Sequence, residues 1–118
     1  LVWTFKNNNS VLLDPTMYGW VKTDRNDMAK EISCKAPIST EVLKDHAIAG
    51  TFSFKHAKDF LYASEKLIEK NRRINNEFYI DLVVDEAIKL NKSISVFKID
   101  KYISWGTPED LVKYKMSF

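Results

Sequence analysis

The sequence contains few of the residues on which several common classes of protein depend. Its single cysteine, Cys34, cannot form a disulfide within the chain, which suits a reducing compartment. Only three glycines are present, Gly19, Gly50 and Gly106, and none belongs to a glycine-rich phosphate loop. No apolar run approaches the roughly 20 residues of a membrane-spanning helix, and no segment has the pattern of a signal peptide. We therefore expect a cytoplasmic protein.

The charge balance also excludes more than it demands. The net charge is +2 and the isoelectric point is about 8.6, which is only mildly basic. Basic residues do not alternate with aromatic ones, so we expect neither a nucleic-acid partner nor a membrane partner. His46 and His56 have no cysteine or histidine at the spacing of a zinc site.

The 118 residues are enough for one domain, and strand patterns and helix patterns are mixed along them. The predicted strands are residues 1–5, 11–14, 47–55 and 93–100, with a hairpin formed by residues 16–24 and 28–35. The predicted helices are residues 40–47, 56–71 and 77–91, and a last helix begins at "GTPEDL" with Thr107 as N-cap and Pro108 at the first helical position. Gly19 interrupts a strand, which is typical of a bulge or of close approach by another group. This mixture predicts an α/β domain.

Lys35 and two arginines each have a functional and a structural interpretation. Lys35 follows a strand and precedes a proline turn, where it is either a solvated lysine or a point charge for a phosphate. Arg72 and Arg73 suit phosphate contacts, but the preference for cations at a helix C-terminus explains them better.

Four charged residues recur every fourth position from residue 77 and would form one helical stripe. The solvated face of the helix is the interpretation for Asp85 and Lys89. Glu77 and Asp81 lie nearer the predicted helix start, where acids can hold substrate hydroxyls or help to bind Mg²⁺.

Five motifs in order carry a resemblance to a known family: "MYGWVKTD", "EISCKAPIS", "AGTFSF", "NNEFYIDLVVDEAI" and "YISWGTPEDL". Together they resemble the C-terminal half of the sugar-phosphate nucleotidyltransferases, over nearly the whole chain. The resemblance implies a Rossmann-like α/β domain with a mixed β-sheet flanked by helices. It implies transfer of a nucleoside monophosphate from a nucleoside triphosphate (NTP) to a sugar phosphate or similar phosphorylated small molecule, with release of pyrophosphate, for capsule or other surface-polysaccharide precursors. The glycine-rich nucleotide-binding half is absent from residues 1–118. Because the chain opens on Leu1 in a strand pattern, we expect it to begin inside a larger protein.

The resemblance also implies particular site residues. Lys35 would contact the acceptor phosphate and serve as the catalytic residue, and Glu77 would bind sugar hydroxyls. The implied substrate-binding set is Tyr18, Gly19, Lys35, Gly50, Thr51, Glu77, Trp105 and Gly106. Mg²⁺ is the implied cofactor.

Ser104 departs from the family pattern, which often has a metal-binding aspartate at this position. A hydroxyl is a poorer Mg²⁺ ligand than a carboxylate. One alternative is that a single protein carboxylate and the triphosphate oxygens hold the metal. Another is that Asp81 or Asp100 replaces the aspartate, with Asp81 preferred. In the third, activity is altered or lost.

Two interpretations of function therefore stay open. In the first, the chain is the acceptor-binding part of a nucleotidyltransferase and is inactive by itself. In the second, it is a non-catalytic module of the same fold that binds a ligand or a partner. Since half of a sheet leaves an open edge, we also expect a homo-oligomer or pairing with the missing half.

Overall fold

The computed structural model describes residues 1–118, which form five β-strands, four α-helices and one 3-10 helix. The strands are β1 (Val2–Phe5), β2 (Gly19–Thr23), β3 (Ala29–Cys34), β4 (His46–Phe52) and β5 (Val96–Lys98). The α-helices are α1 (Ser10–Leu13), α2 (Ala57–Glu69), α3 (Ile80–Lys89) and α4 (Pro108–Met116), and the 3-10 helix is Pro15–Met17. No helix combines the length and the apolar character that crossing a membrane requires.

All five strands belong to one mixed sheet with the order β3-β2-β4-β1-β5. The β1–β5 pair is parallel, and the other three pairs are antiparallel. The sheet curls, because the beginning of β3 also bonds to the segment around β5. The N–H of Ala29 donates to the carbonyl of Ile94 at 2.7 Å, and the N–H of Val96 donates to the carbonyl of Asp27 at 3.1 Å. This contact between the outer strands covers part of the edge that an open half-sheet would expose.

Two apolar clusters lie on opposite faces of the sheet. Neighbouring residues of a strand point to opposite faces, and Val21 belongs to the larger cluster whereas Trp20 belongs to the smaller one. Helices α2 and α3 cover the larger cluster, with Leu67 and Val84 almost fully buried. The predicted α/β class, with a mixed sheet flanked by helices, is confirmed.

The hairpin, helix α2 and helix α4 are confirmed, except that the first arm of the hairpin begins at Gly19 because the 3-10 helix Pro15–Met17 precedes it. The hairpin turn is closed by the Asp24 carboxylate, which accepts hydrogen bonds from the N–H groups of Asn26 and Met28 at 2.8 and 3.1 Å. Helix α4 begins as predicted, since Thr107 accepts a hydrogen bond from the Asp110 N–H at 3.1 Å.

The predicted strand at residues 11–14 is wrong, because this segment contains helix α1. The Asn8 side chain accepts a hydrogen bond from the Ser10 N–H at 3.0 Å, and the Asp14 side chain accepts one from the Thr16 N–H at 3.1 Å. Such local bonds favour turns and helix starts over a strand ladder.

The predicted helix at residues 40–47 is also wrong. Ser39 does accept a hydrogen bond from the Glu41 N–H at 3.0 Å, but only a turn follows. From His46 onward the backbone pairs with β1 and β2, and these long-range ladders prevent a helix from extending there.

Helix α3 begins later than predicted. Ile74 and Glu77 exchange two backbone hydrogen bonds, of 2.9 and 3.0 Å, so residue 77 lies in a turn and outside the helical stripe. The predicted last strand contracts to β5, and residues 99–105 form no ladder. Asp100 therefore does not share a strand with Ser104.

The prediction that Asp85 lies on a solvated face is wrong. This residue is 4% exposed, and its carboxylate accepts hydrogen bonds from the Ile32 N–H at 2.9 Å and from the Arg72 guanidinium at 3.0 Å. Arg72 also bonds to Glu86, which is 1% exposed. The backbone N–H of Arg72 caps α2 by donating to the Leu67 carbonyl at 3.2 Å, but its guanidinium turns to the acids of α3. Its charge compensates two buried acids that join α3 to β3 and to the loop after α2.

Candidate functional site

A cavity of about 240 Å³ lies where the start of β2, the end of β3, the middle of β4 and the start of α3 meet the turn before α4. Its walls are formed by Met17, Tyr18, Lys35, Ile48, Ala49, Gly50, Tyr79, Asp81, Tyr102, Ser104 and Gly106. Five segments that are far apart in sequence thus contribute to one concave surface. We refer to it as the acceptor cavity.

Lys35 is the one cationic side chain of the acceptor cavity. Its Nζ donates a hydrogen bond to the carbonyl of Met17 at 2.9 Å and lies 5.5 Å from the centre of the Tyr79 ring. Its backbone adopts a left-handed conformation with φ of 61°. The other non-glycine residues with positive φ are asparagines and one aspartate, which tolerate this region, whereas a lysine there costs about 1 kcal/mol or more. The strained backbone directs this side chain back along the start of β2.

Asp81 is the one acidic side chain of the acceptor cavity, and no other residue donates a hydrogen bond to its carboxylate. Burial raises the pKa of this carboxyl group, and this effect outweighs the lowering by its own backbone N–H and by the Lys35 charge. Asp81 is thus a desolvated acid with incomplete compensation.

Gly19 is required by the position of Asp81. A Cβ atom built on Gly19 would lie 2.0 Å from the Asp81 Oδ2 atom and 2.9 Å from the Ile48 Cδ1 atom. Either distance is far below van der Waals contact, so only glycine leaves room for the carboxylate in this position. The expected close approach at Gly19 is thus confirmed, and the approaching group is a side chain of the same chain. The ladder between β2 and β3 passes Gly19 regularly and shifts register only between Lys22 and Thr23.

The turn before α4 closes one side of the cavity through Ser104. The Ser104 hydroxyl donates a hydrogen bond to the Asp110 carboxylate at 2.8 Å and accepts one from the Gly106 N–H at 3.3 Å. The hydroxyl proton is therefore committed to the first turn of α4.

Three tyrosine side chains form much of the wall. Tyr102 stacks on Phe5 with ring centres 3.9 Å apart, and Tyr18 meets the same Phe5 ring edge-on at 6.0 Å. Tyr79 donates a hydrogen bond to Glu77 at 2.8 Å. Because Phe5 belongs to the smaller apolar cluster, two of the three rings are anchored in the core.

The structure brings six of the residues from the sequence-based site together. Tyr18, Lys35, Gly50, Asp81, Ser104 and Gly106 all line the acceptor cavity, and Gly19 lies directly behind Asp81.

Four other candidates lie outside it. Thr51, Glu77 and Asp100 are exposed, and Glu77 accepts the hydrogen bond of Tyr79. Trp105 is 62% exposed, and its ring meets Tyr114 of α4 at 5.1 Å.

Sequence reasoning missed Tyr79 and Tyr102 as cavity residues. Both belong to motifs of the family resemblance, "NNEFYID" and "YISWGTPEDL", but the predicted site residues of these motifs do not include the two tyrosines. Their signal was present in the pattern, because Tyr102 stands two residues before Ser104 and Tyr79 two residues before Asp81.

The donors of the cavity do not fit a magnesium site built by this chain. No group of three or more histidine, cysteine, aspartate or glutamate side chains converges in a metal-binding arrangement. Asp81 packs against Gly19 and shares its cavity with an ammonium group. The Ser104 hydroxyl donates its hydrogen bond to Asp110. Mg²⁺ needs several oxygen ligands in octahedral geometry, and one carboxylate is too few without oxygens from a ligand. The magnesium expectation stays a prediction for a whole enzyme.

A second cavity of about 320 Å³ lies beside α2 and contains none of the predicted site residues. Its charged residues include Lys92 and Asp59, which form an ion pair of 3.2 Å with each other. Lys55 and Leu1 line this cavity too, but the acceptor cavity is the better candidate because the predicted site residues converge there.

The curled mixed sheet with flanking helices has a counterpart among solved structures. It is similar to the crystal structure of a nucleoside-diphosphate-sugar pyrophosphorylase from Vibrio cholerae RC9, with a TM-score of 0.75 and 18% sequence identity. The similarity covers 96% of this chain and 44% of that chain, so this chain spans less than half the length of that protein. At this identity the likeness establishes the fold alone.

No family model matches the sequence. No curated protein matches it either. The site must therefore be interpreted from its own geometry.

Proposed function

We propose that the chain is the acceptor-binding part of a nucleotidyltransferase. The reaction would transfer a nucleoside monophosphate from an NTP to a sugar phosphate or a similar phosphorylated small molecule in nucleotide-sugar biosynthesis, for capsule or surface-polysaccharide precursors. An oxygen of the acceptor phosphate would attack the α-phosphorus while the bond between the α-phosphorus and its bridging oxygen to the β-phosphate breaks, and pyrophosphate would leave. The NTP would be bound outside these residues, which contain no phosphate loop.

The observation that carries this proposal is the convergence of five sequence motifs on the acceptor cavity. Lys35 would bind the acceptor phosphate as a point charge, and its left-handed backbone and its bond to the Met17 carbonyl would hold the ammonium in place. The backbone at Gly50 and Gly106 allows a ligand to approach closely. Transfer reactions of this kind depend mainly on positioning and on neutralisation of phosphate charge.

The Mg²⁺ that the family resemblance implies would need ligands from the triphosphate and from outside these residues, because Asp81 is the one carboxylate of the cavity. The residues of this chain would orient the acceptor, and a partner half or a second copy would complete the site.

Binding of small phosphorylated compounds to the 118-residue chain tests the proposal. The panel would include inorganic phosphate, sugar 1-phosphates and aminoalkyl phosphates, measured by calorimetry and by NMR chemical shifts. Lys35→Asn is the informative variant, because asparagine tolerates the left-handed backbone but carries no charge. We expect it to stay folded and to lose at least about tenfold in affinity. Lys58→Asn, at an exposed position of α2, is the matched control.

Turnover is the second test. Pyrophosphate release would be measured for the natural polypeptide that carries this sequence, with Lys35→Asn and Ser104→Asp beside it. Turnover that collapses in Lys35→Asn would support the transferase. Phosphate binding without turnover, and without rescue by Ser104→Asp, would favour the non-catalytic module instead.

A further inference from the structure

The acceptor cavity contains one positive and one negative side chain, and the proposed function uses only the positive one. If an acceptor phosphate binds Lys35, the partial compensation of Asp81 by the lysine charge decreases. Asp81 is then a half-buried carboxylate to which no other residue donates a hydrogen bond, and a cation of the ligand would supply the missing charge. The charges of the cavity thus favour a ligand that carries both a negative and a positive charge.

The other groups of the cavity offer little to a neutral polyol. Glu77, which the family resemblance assigns to sugar hydroxyls, is exposed and accepts the hydrogen bond of Tyr79 outside the cavity. The Ser104 hydroxyl already donates its hydrogen bond to the Asp110 carboxylate. A sugar with several free hydroxyls would leave many of its polar groups without partners here.

The tyrosine rings suit a cation better. An ammonium is attracted to the face of an aromatic ring within about 6 Å. Tyr79 has the Lys35 ammonium at 5.5 Å from its ring centre, so one cation of the cavity already lies over a tyrosine face. Tyr18 and Tyr102 add two more rings to the same wall as Asp81.

We propose that the acceptor is a small phosphate ester that also carries a cationic amine, with its phosphate at Lys35 and its amine at Asp81 among the tyrosines. This inference rests on the proposed function and names the substrate class. An aminoalkyl phosphate and an amino-sugar phosphate share this chemistry, and the size of the ligand distinguishes them. The requirement for Gly19 follows as well, since Gly19 makes room for the carboxylate that would hold the amine.

Two matched pairs of ligands test the inference on the 118-residue chain. The first pair is 2-aminoethyl phosphate and 2-hydroxyethyl phosphate, and the second is glucosamine 1-phosphate and glucose 1-phosphate. Each pair differs in an amine against a hydroxyl at one position. We expect the amine to bind at least about tenfold more tightly in one of the pairs, because a charged pair with a desolvated carboxylate is stronger than a neutral hydrogen bond. The pair that shows the preference identifies the source of the amine.

Asp81→Asn is the informative variant, and Glu65→Gln is its control. Both variants remove one negative charge, but Glu65 lies exposed on α2 outside the cavity. We expect Asp81→Asn to abolish the preference for the amine while the hydroxyl analogue binds as before, which also shows that the variant is folded. Glu65→Gln should retain the preference.

The outcomes separate this inference from the function on which it rests. Equal binding of amine and hydroxyl analogues, with loss of both in Lys35→Asn, would overturn the inference and leave the transferase proposal intact. Binding of none of the four compounds would overturn both. Binding of Mg²⁺ alone that disappears in Asp81→Asn would also overturn the inference, because the carboxylate would then serve a metal.

Discussion

Asp81 and Asp85 are the same residue type one turn apart on helix α3, and the structure places them in opposite situations. Asp85 is 4% exposed and fully partnered, by the Ile32 N–H, by Arg72 and by Lys89. Asp81 faces the acceptor cavity, and no other residue bonds to its carboxylate. The first acid joins elements of the fold. The second is an unfavourable arrangement for the isolated chain and a favourable one for a ligand.

The surroundings of the two aspartates also differ in how their charges are compensated. Around Asp85 and Glu86, every buried charge has an opposite charge within bonding distance. Around Asp81, glycine and tyrosines leave space beside a carboxylate. A carboxyl group in a cavity whose pKa is shifted by burial is a common sign of a binding site.

Removal of Arg72 should have the largest effect. Arg72→Ala removes the cation that Asp85 and Glu86 share and leaves them only the more exposed Lys89 and Lys70, so we expect a loss of about 3 kcal/mol in the free energy of unfolding. Urea denaturation would measure it. The adjacent Arg73→Ala is the control, since Arg73 is exposed, bonds to Asn71 and to the Asn76 carbonyl, lies over the Phe78 ring and meets no buried acid. Similar losses in both variants would contradict the assignment of Arg72 to the buried acids.

Gly19→Ala should come next, and it acts on Asp81. The new methyl group would lie 2.0 Å from the carboxylate oxygen, so the carboxylate must leave its position. We expect a loss of about 1–3 kcal/mol in stability from overpacking and a loss of ligand binding. Gly106→Ala is the matched control for stability alone, because a methyl group there meets its nearest atom at 3.6 Å but Gly106 itself lines the acceptor cavity. If ligand binding survives in Gly19→Ala, the position of Asp81 does not matter for the ligand.

The pH dependence of stability should distinguish a paired acid from the unpaired one. As the pH falls, the contribution of the paired acid decreases, whereas that of the unpaired acid increases. For Glu86, burial raises the pKa, but the bonds from Lys70 and Arg72 together lower it below the ordinary 4.5. Its contribution to stability is present above pH 4.5 and is lost as the pH falls through the folded pKa. For Asp81, burial raises the pKa above 3.8, so its contribution is present below pH 3.8 and is lost as the pH rises through the folded pKa.

Two variants measure this difference. Asp81→Asn should gain stability relative to the unmodified chain as the pH rises above 3.8. Glu86→Gln should be less stable than the unmodified chain, and this difference in the free energy of unfolding should decrease as the pH falls below 4.5. Urea denaturation at a series of pH values would follow both, and parallel curves for the two variants would contradict the comparison.

Removal of Lys89 should have the smallest effect. Its side chain is 53% exposed and pairs with Asp85 at 3.2 Å across one helical turn. Because the Lys89 ammonium lies in water, solvent screening limits the pair to about 0.5 kcal/mol although Asp85 is buried, and Arg72 still compensates Asp85 when Lys89 is absent. Lys89→Ala should therefore lie within about 0.5 kcal/mol of the unmodified chain in the same urea experiment. A loss as large as that of Arg72→Ala would show that the two cations share the buried acids equally.

The sequence predicted the elements whose causes are local. The hairpin depends on Asp24, which bonds to an N–H two residues later in the same turn. Helix α4 depends on Thr107, which bonds to an N–H three residues later. The segment at residues 40–47 has a helix signal at Ser39, but its end was decided by the ladders of His46 with distant strands. The candidate site was predicted in part, because Lys35, Asp81 and Ser104 stood in recognisable motifs.

What the sequence alone determined is the α/β class, the main helices and the motifs that contribute to the cavity, because turn chemistry and apolar periodicity act within a few residues. The tertiary structure decided which of two aspartates at equivalent helical positions is paired and which is free. Asp85 meets an N–H that is 53 residues away in the chain, and Asp81 fills the space that Gly19 leaves on another element. Helical periodicity places both acids on one stripe, but only the packing of β2, β3 and the loop after α2 against α3 gives each acid its surroundings.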